Sequence, residues 1–434
     1  MKGKKIWIQT LGCRSNQYEG EALGGAFADA GALIADSPRD CDGAVLVSCT
    51  VTSVADKKCR QAVRRIRRLS EKAVIAVCGC WAQNISREEA LSLGIAIVAG
   101  NRRKALLPAL MARALGGEGP SFVEEKTDVL RCDEWDGLSL SSPLFHTRAF
   151  VKVQDGCNHF CSYCIIPFVR GKPVSRDGDD VVAEVRRLAA SGCPEVVLTG
   201  VHLGLYGSGG SQSLAELVAR VASVEGIKRI RFGSLEPFGL DGELMDALAG
   251  SPKFCRHLHL PLQSGSPSVL SRMRRGYSPE DFLELVRMAR SRLGDDLHIS
   301  TDVLVGFPGE TDREFEETLR FMEECRFGKV HVFPYSPREG TEAWSLPDRV
   351  VGEKMGERTA QALHLAERLL TDFAGRKVGH TVAVLAEEAE KGGFRGLTPS
   401  FLRVEGEGSA VKGEEVPVKI SGIKGENLKG RRAS

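Results

Sequence analysis

Short apolar runs alternate with amphipathic stretches twice along this 434-residue chain, and that rhythm limits the folds open to it. The first alternation occupies residues 1–100, where four runs end in turn residues: KIWIQTLGC, DGAVLVSCTV, KAVIAVCGC and GIAIVAGN. Helical patterns such as QYEGEALGGAFADAG separate these runs. Strands that alternate with helices form βαβ units and a parallel sheet. We therefore predict an α/β N-terminal domain with a flavodoxin-like parallel sheet over residues 1–130.

The second alternation begins at RAFVKVQDGC and continues to about residue 350. Six strand–helix units in this part predict a central partial (β/α)6 barrel over residues 144–372, with its chemistry at the carboxyl ends of the strands. The Gly-, Ser- and acid-rich segment at residues 112–145 reads as a linker with one edge strand. Residues 373–434 switch to short strands with Gly-rich turns, which predicts a small antiparallel β-barrel.

Thirteen cysteines are unusual in a chain of this size. A disulfide framework is typical of small secreted chains, and neither a secretory leader nor an apolar run long enough to span a bilayer is visible. We therefore expect a cytoplasmic protein with no membrane contact, whose cysteines serve metal or redox chemistry. The formal net charge of +2 means that any basic surface must be local.

Three cysteines lie within eight residues in VQDGCNHFCSYCIIPFVRG: Cys157, Cys161 and Cys164. Three thiolates can hold three corners of a cubane cluster and leave the fourth iron free for a substrate or cofactor. The intervening aromatic residues Phe160 and Tyr163 can shield such a site from water. A zinc site completed by His159 or by a distant ligand is the alternative. The position after the first barrel strand favours the cluster, because an active site belongs there.

A second set of three cysteines ends successive predicted strands: Cys13, Cys49 and Cys80. Their separations are about one βαβ repeat each, and the carboxyl ends of neighbouring parallel strands converge on one crevice. We therefore expect a second three-thiolate site. Two alternatives stay open at this point. The thiols can be buried as small hydrophobes, or Cys78 can replace Cys80, because strand alternation puts both on one face.

The triplet, with an aromatic residue before its third cysteine, resembles the motif of the radical S-adenosylmethionine (SAM) superfamily. The whole chain is similar to the methylthiotransferase family, whose members join an N-terminal cluster domain, a radical SAM barrel and an RNA-binding TRAM barrel. This resemblance implies two [4Fe-4S] clusters, SAM and an external electron donor. It implies that the triplet cluster cleaves SAM to a 5′-deoxyadenosyl radical, and that Cys13, Cys49 and Cys80 hold a sulfur-donating cluster. Ser48 stands where the family usually has Asn.

The same resemblance implies SAM contacts at the ends of barrel strands, within the segments SYC, LTGVHLG, SLEP, HLPLQSGS and STDVLVGFPGET. The residues concerned are Tyr163, Gly200, Ser234, Glu236, Gln263 and Val305, with Gly306 beside the last. By contrast, His257 and His259 are interpreted as ordinary strand histidines.

Basic residues suggest where RNA binds, because cations displace counterions from nucleic acid. One run extends from Lys57 to Arg68, and RMRRGY, Arg272–Tyr277, is a second candidate. The C-terminal barrel offers further charge and stacking residues: Arg395, Phe401, Arg403, Lys424 and Lys429. The alternatives are a solvated helix face for the first run and a stabilising appendage for the barrel. We expect a tRNA anticodon stem-loop as partner, and no DNA.

The family divides by substrate, and TLGCRSNQYEGE is similar to its MtaB-type members, with Arg14 for the usual Lys and Ser15 for an apolar residue. The predicted function is transfer of a methylthio group to C2 of N6-threonylcarbamoyladenosine next to the anticodon. The alternatives are isopentenyl-adenosine in tRNA (MiaB-type) and a ribosomal-protein aspartate (RimO-type). Non-enzymatic alternatives are an iron–sulfur redox sensor and a zinc module, both binding RNA. The remaining cysteines are predicted to be structural: Cys41, Cys59, Cys78, Cys132, Cys193, Cys255 and Cys325.

Overall fold

The computed structural model describes residues 1–140, 147–208, 210 and 212–433, and its N-terminal part is built on a six-stranded sheet. The strands are β1 Lys5–Thr10, β2 Leu33–Ala35, β3 Gly43–Ser48, β4 Val74–Gly79, β5 Ile97–Ala99 and β6 Val123–Glu125. All neighbouring strands are parallel, in the order β2-β1-β3-β4-β5-β6. This order is flavodoxin-like with one added edge strand, so the α/β prediction is confirmed. The predicted edge strand of the linker is β6, whereas the predicted barrel start at residue 144 lies outside the described residues.

Helices cover this sheet: α1 Arg14–Asp29, α2 Ser53–Leu69, α3 Cys80–Asn84, α4 Arg87–Ser92 and α5 Leu107–Leu115. The amphipathic pattern of α2 shows why the sequence folds this way. Its buried residues include Cys59, Ala62, Val63 and Ile66, at the spacing of one helical face. The Thr52 side chain caps the helix by accepting a hydrogen bond from the Ala55 N–H at 3.2 Å. The opposite face, which carries the basic run, remains at the surface.

Six parallel strands form the central barrel, as the sequence predicts. They are β7 Arg148–Lys152, β10 Glu195–Thr199, β11 Arg229–Phe232, β12 His257–His259, β13 His298–Val305 and β14 Lys329–Pro334. They follow one another in two three-stranded sheets, which the parallel bridges Ile230–Phe254 and Ser234–His259 join. Between β7 and β10, the short antiparallel pair β8 Gln154–Asp155 and β9 Val174–Ser175 closes the loop that carries the cysteine triplet.

Helices follow these strands on the outside of the barrel. They are α6 Ile166–Arg170, α7 Gly178–Ala190, α8 Leu214–Ala222, α9 Gly242–Gly250, α10 Pro267–Met273, α11 Pro279–Leu293, α12 Asp312–Glu324 and α13 Gly352–Gly375. The N-terminal helix α1 packs against β7, the first strand of the barrel series. Tyr18 of α1 donates a hydrogen bond to the Leu138 carbonyl at 2.9 Å, and Arg338 of the barrel binds Asp56 at 2.7 Å and Thr50 at 2.6 Å. The N-terminal sheet and the barrel therefore share one interface close to Cys49.

The C-terminal strands close into a five-stranded barrel in the order β15-β16-β17-β19-β18. They are β15 Thr381–Glu390, β16 Gly393–Leu397, β17 Arg403–Glu407, β18 Glu415–Lys424 and β19 Asn427–Arg432. The prediction of a purely antiparallel barrel is wrong in one respect, because β17 and β19 are parallel. A closed ring with an odd number of strands cannot alternate direction throughout, so one neighbouring pair has to be parallel.

No helix in the part of the chain that the structure describes is both long and apolar enough to cross a membrane.

Candidate functional site: two cysteine sets beside one cavity

The first cysteine set lies where the N-terminal sheet reverses its strand order. Cys13 follows β1 and Cys49 follows β3, the two strands that flank the switch point at which such sheets bind ligands. Cys80 begins α3 directly after β4. Gly12 shows how closely the first two approach, because a Cβ added there would lie 2.9 Å from the Cys49 Sγ. Gly12 has a φ of +106°, which also favours glycine.

Gly79 separates Cys80 from Cys78. Strand alternation predicts that both thiols share one face, but this is wrong, because Gly79 has a φ of +92° and ends the extended backbone. Cys78 is wholly buried in the core of the sheet among residues that include Val45 and Val47. Cys80 instead packs against Ile165 and Val169, next to the triplet loop. The structure therefore brings Cys80, and not Cys78, towards the barrel.

Polar side chains hold the loops of the first set in place. The Asn16 amide donates hydrogen bonds to the Leu11 carbonyl at 2.6 Å and to the Ser48 carbonyl at 3.0 Å. Ser48, which replaces the usual Asn, donates from its hydroxyl to the Cys78 carbonyl at 2.5 Å and accepts from the Ala82 N–H at 3.1 Å. The Asn16 Oδ1 also accepts from the Cys13 thiol at 3.7 Å. The ends of β1, β3 and β4 are thus tied together by side chains next to the three thiols.

The second set lies on the loop between β8 and α6. The Cys157 N–H donates to the Gly171 carbonyl at 2.9 Å and the Cys164 N–H to the Cys161 carbonyl at 2.9 Å. The Arg275 guanidinium lies 3.4 Å from the Cys161 Sγ. Since Arg275 is 3% exposed, it places a buried positive charge beside this thiol.

The aromatic residues of this loop differ from expectation. Phe160 is 41% exposed and meets Phe168 edge to face at 5.6 Å between ring centres, so it does not shield the thiols from water. Tyr163 is half-buried and lies 6.5 Å from the Phe307 ring. The His159 ring stacks on Phe238 at 3.9 Å and on His202 at 5.1 Å.

The spacing of the thiols helps to choose between zinc and a cluster. Within the described residues, neither cysteine set brings its three sulfur atoms within 4.8 Å of one another. A tetrahedral zinc site with Zn–S bonds of about 2.3 Å would need sulfur atoms about 3.8 Å apart. A cubane takes each thiolate on a different iron and needs wider spacing. The donor sets therefore fit iron–sulfur clusters better than zinc.

Burial disfavours ionisation of these thiols unless a nearby positive charge stabilises the thiolate. Burial raises the pKa of Cys49 and of Cys157 to about 11 and that of Cys164 to about 12. Burial also raises the pKa of Cys80, while the Arg170 guanidinium works in the opposite direction. Thiolate ligands must lose their protons when a metal binds, so cations beside the sulfur atoms favour a bound cluster.

Arg170 belongs to a buried charge network between the N-terminal sheet and the triplet loop. Its guanidinium contacts the Cys80 Sγ at 3.2 Å, Asn16 Oδ1 at 2.6 Å and Glu19 Oε1 at 3.0 Å. Every charged side chain of the network is at most 3% exposed. The network holds four cations, Arg102, Lys104, Lys152 and Arg170, against three carboxylates, Glu19, Asp136 and Asp155. One positive charge is left over, and it faces the Cys80 sulfur.

A cavity of about 640 Å³, here called the shared cavity, connects the first set with the barrel. Cys13 lines this cavity on the side of the N-terminal sheet. Four of the predicted SAM residues line it from the barrel: Gly200, Ser234, Glu236 and Gln263. Ligand pockets typically measure about 300–1,000 Å³, so a cofactor and a nucleoside substituent can be accommodated. The structure thus brings one cysteine of the first set and the strand-end residues to the same space, whereas Cys49, Cys80 and the triplet cysteines do not line it.

The predicted SAM residues differ in detail from expectation. The backbone at Gly200 passes close to Gln154, since a Cβ there would lie 2.9 Å from the Gln154 Oε1. The Glu236 carboxylate pairs with Arg275. Gln263 has a φ of +69°, held by backbone hydrogen bonds of 2.8 Å on both sides to β13. Val305 is wholly buried in the core and, like Tyr163, does not line the shared cavity.

Histidines line the shared cavity at the level of β12–β14. The His259 Nε2 lies 3.2 Å from the Asp302 carboxylate, and its Nδ1 lies 2.9 Å from the Ser300 hydroxyl. His331 lies beside this pair. The His257 Nε2 contacts the same Ser300 hydroxyl at 2.9 Å. Strand alternation therefore directs these polar side chains into the barrel.

The candidate RNA residues fall into two groups. Five cations of α2 are exposed and form no ion pair with any described residue: Lys57, Lys58, Arg64, Arg65 and Arg68. The RMRRGY segment does not form a free basic surface, because Arg275 is buried, Arg272 pairs with Glu314 and Arg274 pairs with Glu342.

The candidate RNA residues of the C-terminal barrel also fall into two groups. Arg395, Arg403, Lys424 and Lys429 are exposed, whereas Phe401 is directed into the shared cavity and stacks on His257 at 4.8 Å. Phe401 is therefore not the open stacking platform for RNA that the sequence suggested.

Arg170, Arg275 and Asn16 were missed by the sequence analysis. A signal was present for Arg170, because a single arginine in the apolar stretch IIPFVRG must either leave the core or find a buried partner. Arg275 lies in a basic run that looked like a phosphate-binding surface. The sulfur contacts of both arginines became visible only in three dimensions.

Comparison with known proteins places these features in context. Residues 151–322 match the radical SAM superfamily, and residues 5–100 match "Uncharacterized protein family UPF0004". Threonylcarbamoyladenosine tRNA methylthiotransferase MtaB of Bacillus subtilis is 36% identical over 96% of this chain and 93% of its own length. A tRNA-2-methylthio-N(6)-dimethylallyladenosine synthase of Pelotomaculum thermopropionicum is 33% identical over 98% of this chain and 97% of its own.

Among solved structures, the radical SAM methyltransferase TsrM from Kitasatospora setae matches with a TM-score of 0.57. The match covers 79% of this chain and 77% of that one at 16% identity. It therefore shows a common fold.

Proposed function

The chain belongs to the radical SAM methylthiotransferase family, and from this premise we propose that it transfers a methylthio group to C2 of N6-threonylcarbamoyladenosine next to the tRNA anticodon. The observation that carries this proposal is the shared cavity, where Cys13 of one cysteine set faces the strand-end residues of the barrel. A reaction that joins sulfur delivery to SAM chemistry needs both groups at one substrate atom.

We assign a [4Fe-4S] cluster and SAM to Cys157, Cys161 and Cys164, and a second cluster to Cys13, Cys49 and Cys80. When bound, these groups and an external electron donor supply the radical, sulfur and methyl chemistry. The chain itself positions them. Arg275 places a cation beside the Cys161 sulfur and Arg170 places one beside the Cys80 sulfur, and the buried network links helix α1 to the triplet loop.

The polarity of the shared cavity supports the threonylcarbamoyl substrate. The two relatives named for different substrates are 36% and 33% identical to this chain. This small difference does not by itself decide whether the N6 substituent of the substrate is polar or a hydrocarbon. The wall of the cavity carries Arg14, Asp302, Lys329 and several histidines. Among these groups the Arg14 guanidinium has neither an ion pair nor a hydrogen bond with any described residue. A dimethylallyl group would leave it without a partner, which costs binding free energy, whereas a threonylcarbamoyl group offers it a carboxylate.

The exposed face of α2 supports tRNA as the macromolecular substrate. Its five free cations form a stripe on the N-terminal part of the protein, as expected for phosphate contacts. The exposed cations of the C-terminal barrel provide a second contact region. We propose that the anticodon stem-loop bridges these two surfaces above the shared cavity.

Nucleoside mass spectrometry tests the proposal. Anaerobically reconstituted protein is incubated with SAM, a reductant and two tRNAs, one carrying threonylcarbamoyladenosine and one carrying dimethylallyladenosine, both without methylthio groups. We expect the methylthio mass increment on the threonylcarbamoyl nucleoside alone. An increment confined to the dimethylallyl nucleoside would overturn the substrate. No increment on either RNA, despite SAM cleavage, would overturn the tRNA assignment and direct the search to a ribosomal-protein aspartate.

A further inference from the structure

Arg14 places a positive charge without a carboxylate partner in the shared cavity. It follows Cys13 as the first residue of α1, is half-buried and lines the cavity. Its guanidinium carbon lies 5.8 Å from the centre of the Phe401 ring. Across the residues that the structure describes, the Arg14 guanidinium forms no hydrogen bond and no ion pair, although its neighbours are rich in polar groups.

The two other arginines that face the Phe401 ring are already paired. Arg148 binds Glu387 at 2.7 Å. Arg231, which also faces the Phe401 ring, binds Glu195 at 2.8 Å and the carbonyl oxygens of Thr398 and Pro399 at 2.6 and 2.8 Å. The positive charges of these two arginines are therefore balanced by carboxylates, whereas that of Arg14 is not.

The other charged residues of the cavity do not neutralise Arg14 either. Lys329 pairs with Glu426 at 2.7 Å. The carboxylate of Asp302, which also lines the wall, lies 3.2 Å from the His259 Nε2 and forms no ion pair with Arg14 in the described residues. The guanidinium thus faces open space with unused donors.

We propose that Arg14 binds the carboxylate of the N6 substituent of the substrate adenosine and thereby sets the substrate preference. This inference rests on the proposed function, since only a threonylcarbamoyl group carries that carboxylate. A guanidinium binds a carboxylate through two parallel charge-assisted hydrogen bonds. A hydrocarbon substituent would leave the same guanidinium desolvated and unpaired.

Phe401 lies beside the Arg14 guanidinium and helps to fix its position in the shared cavity. Its ring lies against Arg14 on one side and stacks on His257 with an angle of 17° between the ring planes. A cation held against an aromatic face keeps its orientation, so less conformational freedom is lost on binding. The C-terminal barrel therefore contributes to the nucleoside pocket as well as to RNA contacts.

The experiment compares two stem-loop RNAs with wild-type protein, Arg14→Gln and Arg14→Lys. One RNA carries threonylcarbamoyladenosine, and the other carries its carboxamide, which has the same shape without the charge. We expect the wild type to prefer the acid, and Arg14→Gln to lower kcat/KM for the acid by about 10- to 100-fold with little change for the carboxamide. The loss should appear mainly in KM, and Arg14→Lys should keep the preference in part.

Arg403→Gln is the matched control, because Arg403 lines the same cavity but is exposed and belongs to the proposed RNA-contact region of the C-terminal barrel. It should weaken both RNAs alike and leave the acid-to-carboxamide ratio unchanged. Equilibrium binding of both RNAs, followed by fluorescence anisotropy without SAM, gives a readout independent of turnover. Iron content and circular dichroism establish that each variant is folded and loaded.

An unchanged acid-to-carboxamide ratio in Arg14→Gln would overturn this inference while the proposed function stands. If the wild type modifies only dimethylallyladenosine, the proposed substrate is wrong, and the inference about Arg14 is wrong as well because it depends on that substrate. If Arg14→Gln weakens both RNAs equally, Arg14 contacts another part of the RNA and the carboxylate assignment is wrong.

Discussion

Replacing Glu19 by Gln tests whether the buried charge network holds the N-terminal sheet to the barrel. Burial by itself raises the pKa of Glu19. The facing cations Arg170, Lys104 and Lys152 outweigh burial and lower this pKa from 4.5 to about 2. At about 1.36 kcal/mol per pH unit, this corresponds to roughly 3 kcal/mol of stability at neutral pH. Breaking a buried ion pair from one side typically costs about 3–5 kcal/mol, so two separate arguments agree.

Urea unfolding of the cluster-free protein measures this cost. With an unfolding slope of about 3 kcal/mol per molar urea, the midpoint of Glu19→Gln should fall by about 1 M. Fluorescence and circular dichroism should give the same midpoint, so that a single free energy is justified. Glu89→Gln is the control, because its pair with Arg60 at 2.5 Å has side chains 31% and 35% exposed. Such a pair contributes at most about 1 kcal/mol.

A second substitution and a pH series separate charge balance from packing. Lys152→Met added to Glu19→Gln restores the net charge of the network and should recover at least half of the loss. Because the pKa of Glu19 is lowered in the fold, its contribution is complete above pH 4.5 and is lost as the pH falls towards 2. Glu19→Gln should lack this part of the pH dependence. A midpoint shift no larger than that of Glu89→Gln would refute the reasoning.

Three further predictions concern the proposed site. Cys80→Ala should lower the iron content from about eight to about four atoms per chain, and Cys78→Ala should leave it unchanged, as measured by iron analysis after reconstitution. Arg170→Met should lower the midpoint potential of the cluster assigned to Cys13, Cys49 and Cys80 by about 60–120 mV in a redox titration followed by electron paramagnetic resonance, because a charged hydrogen bond to sulfur is lost. An equal shift of the other cluster would contradict this. Arg64→Gln with Arg65→Gln should weaken tRNA binding and reduce the slope of log K against log salt by about 2, with no change in iron content.

Parallel-sheet geometry made much of the site predictable. Because parallel strands end at one edge, the spacing of Cys13, Cys49 and Cys80 was enough to expect that they converge. The barrel followed from the same rule, whereas Gly200 and Gln263 were expected because their segments resemble those of the family. These predictions depend only on strand order and direction, which apolar runs and turn residues reveal.

What the sequence could not show depends on single backbone angles and on long-range partners. The φ of Gly79 decides between Cys78 and Cys80, and nothing in VCGCWAQ reports it. Arg170 and Arg275 find their sulfur partners 90 and 114 residues away. Phe401 looked like an RNA contact because sequence does not reveal which side of a barrel loop is covered.

The contact between Arg338 and Asp56 joins residues 282 positions apart. At a synthesis rate of about 5–20 residues per second, Arg338 leaves the ribosome roughly 15–60 s after Asp56. During that interval the N-terminal sheet has no barrel to dock on, and the loop with Cys49 faces solvent. The loop therefore stays accessible until translation passes the last barrel strand, after which the contact with Arg338 covers it.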